Sequence, residues 1–275
     1  MRRARADRSF PGMDINRRLV LRRALQAVAA GAVTALPAMA RPRRSVAADG
    51  PSVVVLPPSA PALPVPAAPP IVLRSTWQSE GSVPQVQYDR AVRAVLVHHT
   101  DDPNSYAAEQ VPDILRAIRR DHLEFRGWDD IGYNFLVDRF GRIWEGRLGG
   151  VDRPVVGAHT MGFNRDTVGI AAIGTYNRGT EVPQPVLDAI ARLAAWKLGL
   201  HGVRADGRSE LTSTNSGSRF PVGATHTFNA VSGHRDAFCT LCPGESLYTA
   251  IPGIIDRACR LQQEAAAGAT GAAGV

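Results

Sequence analysis

The chain has 275 residues, 44% of them hydrophobic and 21% charged, which excludes a collagen-like or wholly disordered chain. Three cysteines are too few for a small scaffold held together by several disulfides. Residues 1–40 carry eight Arg against two Asp, and the remainder holds 24 basic and 23 acidic residues, so the net charge of +7 gives no support for nucleic-acid binding.

The first 40 residues have the three parts of an export signal. An Arg-rich region ends at Arg23, an apolar run covers residues 24–36, and Ala38-Met39-Ala40 is a small-x-small cleavage pattern. Residues 16–22 resemble a twin-arginine signal, with Asn and Val in place of the usual small hydroxyl residue and Phe. We therefore expect twin-arginine export and a secreted or cell-wall-associated protein. The alternative is an uncleaved membrane anchor, but the apolar run is shorter than the ~20 residues that span a bilayer.

A Pro/Ala-rich linker is predicted over residues 41–70, because proline lacks the amide hydrogen that helices and sheets need. One folded domain is predicted over residues 71–264. The Gly/Ala-rich tail, residues 265–275, is expected to fray.

The domain alternates strand and helix patterns, which predicts a single α/β domain with a central mixed β-sheet flanked by helices. Its first strand covers residues 91–97 and leads into His98. The last helix, residues 246–260, should bend or restart near Pro252. The other predicted elements are a helix over 111–125, a hairpin over 131–145, a strand over 168–173, a helix over 186–200 and a hairpin within 204–230.

Three candidate metal ligands lie where these elements change: His98, His234 and Cys242. Neutral imidazole and thiolate are good ligands for Zn²⁺, and three protein ligands with an open fourth position are typical of a catalytic site. Two other interpretations concern Cys239 and Cys242, which could form a redox pair or half of a zinc ribbon. The ribbon lacks its second Cys pair, and the redox motif lacks the early βαβ context it needs.

A series of motifs over about residues 71–260 resembles the peptidoglycan recognition protein family, the zinc-dependent N-acetylmuramoyl-L-alanine amidases of the amidase type 2 fold. The motifs are Arg74-Ser75-x-Trp77, Val97-His98-His99-Thr100, Gly127-Trp128-Asp129-Asp130-Ile131-Gly132-Tyr133-Asn134-Phe135, Gly141-Arg142-Ile143-Trp144-Glu145-Gly146-Arg147, Gly157-Ala158-His159 with Asn164, Val168-Gly169-Ile170, and Gly233-His234-Arg235-Asp236 through Cys242-Pro243-Gly244.

The resemblance implies that His98, His234 and Cys242 hold zinc, that Tyr133 lies beside the activated water, and that Thr240 contacts the reacting group. It implies hydrolysis of the amide between N-acetylmuramic acid and L-alanine, with peptidoglycan or muramyl peptides as the partner. Receptor members of the family typically lose the Cys or the first His, and both are present here. The alternatives are a secreted binding module without hydrolysis and a purely structural metal. The identity of the general base stays open.

Three further residues of these motifs have two interpretations each. His99 is a packed or a substrate-side residue, since strand alternation turns it away from His98. His159 and Trp128 either contact substrate or have a structural role. His122 lies on the apolar face of its helix and is expected to be a core histidine.

Asp236 has two interpretations. It is either a carboxylate behind a metal ligand, where it orients an imidazole, or a loop-capping residue.

Cys239 and Cys259 are the two cysteines that the proposed metal site does not use. In an exported protein such a pair suggests a disulfide, with two free thiols as the alternative. We expect a monomer. The segment 148–154 departs from the family's usual Gly-Trp continuation, which leaves the preference for diaminopimelate or lysine in the stem peptide open.

Overall fold

The computed structural model of the chain describes residues 64–78 and 84–272. The predicted signal, residues 1–40, lies outside the described residues, as does the predicted linker except for residues 64–70. In the described part of the chain, no helix is both long enough and apolar enough to cross a bilayer.

A six-stranded mixed sheet forms the centre of the fold, and a separate two-stranded sheet lies beside it. The strand order of the central sheet is β1-β4-β3-β5-β2-β8, with β3 and β4 antiparallel and all other neighbours parallel. The predicted fold class is therefore confirmed. The strands are β1 Ile71–Val72, β2 Ala94–His99, β3 Phe135–Val137, β4 Ile143–Glu145, β5 Thr167–Ala172, β6 Arg208–Thr212, β7 Thr225–Asn229 and β8 Val231–Gly233.

Helices cover the central sheet, and the larger part of the core lies between the sheet, α2 and α4. Pro112 falls in the first turn of α1, where its missing amide hydrogen costs nothing. Trp77 and Trp144 are buried in the smaller core beneath α1, so neither lines a cleft. The helices are α1 Val111–Glu124, α2 Gln184–Gly199, α3 His234–Ala237 and α4 Glu245–Ala272, with short 3-10 helices at Arg74–Thr76 and Ala108–Gln110.

Strand β2 is buried along its whole length, and its alternation decides which face each histidine occupies. Val95 and Val97 pack on the side of α2 and α4. Ala94 and Leu96 pack on the opposite side, in a cluster with the hairpin of β6 and β7. Alternation therefore places His98 on the hairpin side of the sheet and His99 on the other side, as predicted.

The C-terminal helix is longer than predicted. Helix α4 continues through Pro252 without a restart and extends into the predicted tail as far as Ala272. Pro252 removes the hydrogen bond to the carbonyl of Tyr248 and its ring crowds that carbonyl, but burial of Ile254 and Ala258 in the core favours the helix beyond it. The alanines of residues 265–272 favour helix and Gly268 and Gly271 disfavour it, and fraying of this stretch stays a prediction.

Candidate metal site

His98, His234 and Cys242 converge at one end of the sheet. His98 is the penultimate residue of β2, His234 is the first residue of α3, and Cys242 lies in the loop before α4. Strand β8 pairs with β2 and ends at Gly233, which lies opposite Val97, so His234 begins its helix beside His98. One donor atom from each of the three side chains lies within 4.8 Å of the other two. The sequence-predicted trio therefore forms one cluster.

The sulfur of Cys242 faces the end of β2. It accepts a hydrogen bond from the backbone amide of His99 at 3.4 Å and lies 3.8 Å from Nδ1 of His98. Burial raises the pKa of the Cys242 thiol to about 12, although the His99 amide acts in the opposite direction. Without a nearby cation this sulfur keeps its proton at neutral pH, and a divalent metal ion is the partner that would convert it to thiolate.

Both imidazoles are neutral, which is the form that binds metal. Burial, with a further contribution from the neighbouring His234, lowers the pKa of His98 well below its usual range. Burial lowers the pKa of His234 to about 4. Phe238 stacks on the His234 ring with the planes 14° apart, and the His98 and His234 ring centroids are 4.4 Å apart. Two neutral imidazoles and a thiol fit Zn²⁺ and leave room for a fourth ligand.

Tyr133 lies beside the cluster, with its ring centroid 5.4 Å from that of His98 and 5.6 Å from that of His122. Burial raises the pKa of Tyr133, so its hydroxyl group retains the proton at neutral pH. His122 is buried and its Nδ1 accepts a hydrogen bond from the amide of Gly132, which confirms it as a core histidine. It also forms one wall of the niche that holds the tyrosine ring.

Thr240 belongs to the loop that carries Cys242. Its Oγ1 accepts a hydrogen bond from the amide of Cys242 at 3.1 Å, and Arg235 donates its amide to the Cys242 carbonyl. These two bonds close the loop around the sulfur. Because the Thr240 oxygen is the acceptor, the hydroxyl proton remains able to donate to another group.

The predicted substrate-side residues have different environments. His99 is buried, and its Nδ1 accepts a hydrogen bond from the amide of Tyr176, so the packed interpretation is correct. Trp128 is partly exposed. Its ring centroid lies 4.7 Å from the centroid of the His122 ring and 5.4 Å from Cζ of Arg126. Substrate contact by Trp128 stays a prediction.

His159 lies beside the first proposed ligand, and substrate contact by His159 stays a prediction. The residue is only 6% exposed, and its Nδ1 lies 3.1 Å from Nε2 of His98, on the far side of that ring from Cys242. His159 is therefore a neighbour of the metal ligand. A signal for this role lies in the two glycines of the motifs, Gly157 and Gly169, because a side chain at either position would collide with the His159 ring.

Asp236 is a capping residue. Its Oδ2 accepts a hydrogen bond from the amide of Gly233 at 2.8 Å, and its Oδ1 accepts one from the Tyr248 hydroxyl at 2.7 Å. Among the described residues it forms no hydrogen bond with an imidazole, so the prediction of a carboxylate behind the metal is wrong. The carboxylate instead satisfies an amide at the start of α3 and links that helix to α4.

The predicted disulfide between Cys239 and Cys259 is absent, because all three cysteines are free. Cys239 is exposed on the metal loop. Cys259 packs from α4 against the main core instead, and its environment includes Asp206. The expectation rested on an even count of cysteines, and a count carries no information about which face of a helix a sulfur occupies.

Comparison with known proteins gives consistent matches. Residues 88–245 match the family model described as N-acetylmuramoyl-L-alanine amidase. Peptidoglycan-recognition protein SC1a of Drosophila melanogaster is 27% identical over 183 residues, which cover 66% of this chain and 84% of that protein. The structure resembles that of bumblebee PGRP-SA, with 27% identity and a TM-score of 0.52 over 67% of this chain and 94% of that one. It also resembles peptidoglycan recognition protein-LE in complex with tracheal cytotoxin, a monomeric diaminopimelic acid-type peptidoglycan, with 29% identity and a TM-score of 0.52 over 66% and 92%.

Proposed function

Because the chain belongs to the N-acetylmuramoyl-L-alanine amidase family, we propose that it is a zinc-dependent amidase. Its reaction is hydrolysis of the amide between N-acetylmuramic acid and L-alanine in peptidoglycan or muropeptides. The observation that carries this proposal is the clustering of His98, His234 and Cys242, whose donor atoms lie within 4.8 Å of one another. Receptor-type relatives need no such donor set to bind a glycopeptide.

The three clustered residues are the ones that would hold zinc. The bound ion would supply a Lewis acid that makes water nucleophilic at neutral pH and polarises the amide carbonyl. The chain prepares for it by keeping both imidazoles neutral and by directing the His99 amide at the sulfur of Cys242. That amide stabilises negative charge on sulfur, which is the charge the ligand must carry.

Tyr133 and Thr240 supply hydrogen bonds beside the ligands. The Tyr133 hydroxyl retains its proton, so it can donate to the carbonyl oxygen as that oxygen becomes negative during attack. The Thr240 hydroxyl already accepts from Cys242 and can donate in turn, but only as a neutral group. Both therefore stabilise developing charge without adding a second cation to the site.

The proposed substrate is a muramyl peptide. It is supported by the resemblance to peptidoglycan recognition protein-LE, whose solved structure contains tracheal cytotoxin. Intact peptidoglycan lies outside the cytoplasmic membrane, so action on the cell wall would require export. We include twin-arginine export in the proposal on the basis of the signal-like residues 1–40. The proposed protein acts as a monomer at the cell wall or in the medium.

Release of a free N-terminal alanine from a muramyl peptide tests this proposal. The purified protein should release alanine-terminated peptide, and a chelator should abolish the release until zinc is restored. Cys242→Ala should abolish it as well with a small change in Tm, whereas a purely structural metal would make that variant unfold. Cys259→Ala is the matched control and should keep its activity, because Cys259 lies on α4 away from the cluster.

A binding module without hydrolysis is the second candidate, favoured by the names of the related recognition proteins. It predicts that the protein binds a muramyl peptide with no alanine release at any zinc concentration. That result would replace the amidase with the binding module.

A further inference from the structure

A second buried histidine, His159, lies directly behind the first proposed ligand. Nδ1 of His159 is 3.1 Å from Nε2 of His98, and the two rings meet edge to face with centroids 5.1 Å apart. Both side chains are almost completely shielded from solvent. Two imidazole nitrogens at this separation form a hydrogen bond only if one carries a proton and the other a lone pair.

The protonation of His159 follows from its other nitrogen. Its Nε2 lies 3.4 Å from Oγ1 of Thr167. The Thr167 hydroxyl donates its single proton to the carbonyl of Phe163 at 2.6 Å, so its oxygen acts as an acceptor toward the histidine. A proton on Nε2 of His159 satisfies this oxygen and leaves the lone pair on Nδ1, whereas the other tautomer would place the Nε2 lone pair against it.

This assignment fixes the tautomer of His98. If Nε2 of His98 lacked a proton, two lone pairs would face each other at 3.1 Å in a buried site. His98 must therefore donate from Nε2, which leaves the lone pair on Nδ1, the nitrogen that faces the sulfur of Cys242 at 3.8 Å. Thr160 completes the group, since its Oγ1 lies 3.0 Å from Nδ1 of His159 and 3.4 Å from Nε2 of His98, where in this tautomer it can accept a share of the His98 proton.

The surrounding backbone is shaped to hold the His159 ring in this position. A Cβ atom at Gly169 of β5 would collide with the ring, and so would one at Gly157, two residues before it in the chain. The amides of His159 and Thr160 both donate to the side-chain oxygen of Asn164 at 2.8 Å, which closes the turn that carries the ring. Position and orientation are thus both determined by neighbours.

We propose that His159 is a positioning residue that, through a chain from Thr167 to His98, holds His98 in the tautomer whose Nδ1 can bind the metal. The inference rests on the proposed zinc site, and it is independent of whether substrate is cleaved. Partners of this kind behind a metal-binding histidine are typically worth about 10- to 100-fold in metal affinity. Known partners are usually carboxylates, carbonyls or waters, and here the partner is a second imidazole.

Zinc affinity of the full chain, measured by competition with a chromophoric chelator, tests the inference. His159→Phe keeps a ring in the niche but removes the acceptor, and it should weaken zinc binding by about 10- to 100-fold. His159→Asn places an amide oxygen near the position of Nδ1 and should recover most of the affinity. Thr167→Val removes the acceptor for Nε2 while preserving side-chain shape, and it should weaken binding less than His159→Phe does.

His122→Phe is the matched control, because His122 is also buried but, in the described part of the chain, its ring reaches the proposed ligands only through the ring of Tyr133. It should leave zinc affinity unchanged. The visible spectrum of the cobalt-substituted protein gives a second readout, and it should change with His159→Phe but not with His122→Phe. If His159→Phe fails to fold, the comparison rests on His159→Asn and Thr167→Val.

Wild-type zinc affinity in His159→Phe would overturn the inference. So would equal losses in His159→Phe and His159→Asn, because the acceptor would then be irrelevant, or an equal loss in His122→Phe. Failure of the proposed function is a separate result, in which the wild-type protein binds zinc but releases no alanine.

Discussion

Tyr133 is the side chain whose hydroxyl group can be removed with the least disturbance of the cluster. Tyr133→Phe keeps the ring contacts with His98 and His122 but removes the only proton that this side chain can donate. Loss of one hydrogen-bond donor to developing negative charge typically lowers kcat by about 10²- to 10³-fold. We expect that decrease with unchanged zinc affinity, measured by alanine release and chelator competition. A variant with wild-type kcat would remove Tyr133 from the mechanism.

Single residues could be predicted from sequence to different extents. His98, His234 and Cys242 were identifiable because the series of motifs resembles the amidase family, whose zinc ligands match these positions; taken alone, each residue is a weak signal, and the structure places the three together. The role of Asp236 was not predictable, because a carboxylate three residues after Gly233 can either cap a helix or orient a metal-binding histidine. The direction of the His159 side chain depends on packing against β5, and the only sequence signals for it are Gly157 and Gly169, whose meaning becomes clear only in the structure.

At the scale of elements, α3 holds His234 in place through its first turn and its link to α4. Asp236→Ala removes both the cap on Gly233 and the bond from Tyr248, and it should lower the free energy of unfolding by about 1 to 2 kcal/mol. Tyr248→Phe removes only the second bond and should cost about 1 kcal/mol. Urea unfolding of both variants measures these values.

An unchanged free energy of unfolding in Asp236→Ala would contradict the capping role. A loss of zinc affinity comparable to that of Cys242→Ala, without loss of stability, would reinstate Asp236 as a residue that acts on the metal. The loss of stability in Tyr248→Phe measures the hydrogen bond between α3 and α4 alone, and the additional loss in Asp236→Ala measures the cap on Gly233.

Helices and strands with a clear periodicity of hydrophobic residues were predictable from the sequence, and elements without such periodicity were not. The alternation in residues 204–230 predicted the hairpin of β6 and β7, which buries Leu211 and Phe228. The C-terminal tail shows no hydrophobic periodicity, so its sequence did not predict that α4 extends to Ala272. The order of the strands in the sheet could not be predicted either, because β8 pairs with β2, which is distant in sequence.

At the scale of the whole molecule, several buried neutral histidines make stability depend on pH. Burial lowers the pKa of His122 to about 4, of His234 to about 4 and of His159 to about 3 from an ordinary value of 6.5. At a pH between the lowered pKa of each folded-state histidine and the ordinary value of 6.5, the unfolded chain binds a proton that the folded protein does not. The stability they contribute is therefore complete above about pH 6.5 and is lost as the pH falls toward 4, by up to about 1.4 kcal/mol per pH unit for each histidine.

Urea unfolding of the metal-free protein, in chelator at pH 7, 6 and 5, measures this dependence. Two carboxyl groups act in the opposite direction near the acid limit, because burial raises the pKa of Asp102 and Asp166 from 3.8. The histidines still dominate between pH 5 and 6.5. A free energy of unfolding that stays constant over this interval would contradict the burial of neutral imidazoles.

The donor set of the metal is the central claim, and zinc-edge X-ray absorption of the zinc-loaded protein tests it most directly. We predict one sulfur neighbour at about 2.3 Å together with nitrogen neighbours at about 2.0–2.1 Å. The sulfur signal should disappear in Cys242→Ser and persist in Cys239→Ser, which is the control on the same loop. A wild-type spectrum with no sulfur, or with two or more, would contradict a site built from His98, His234 and Cys242.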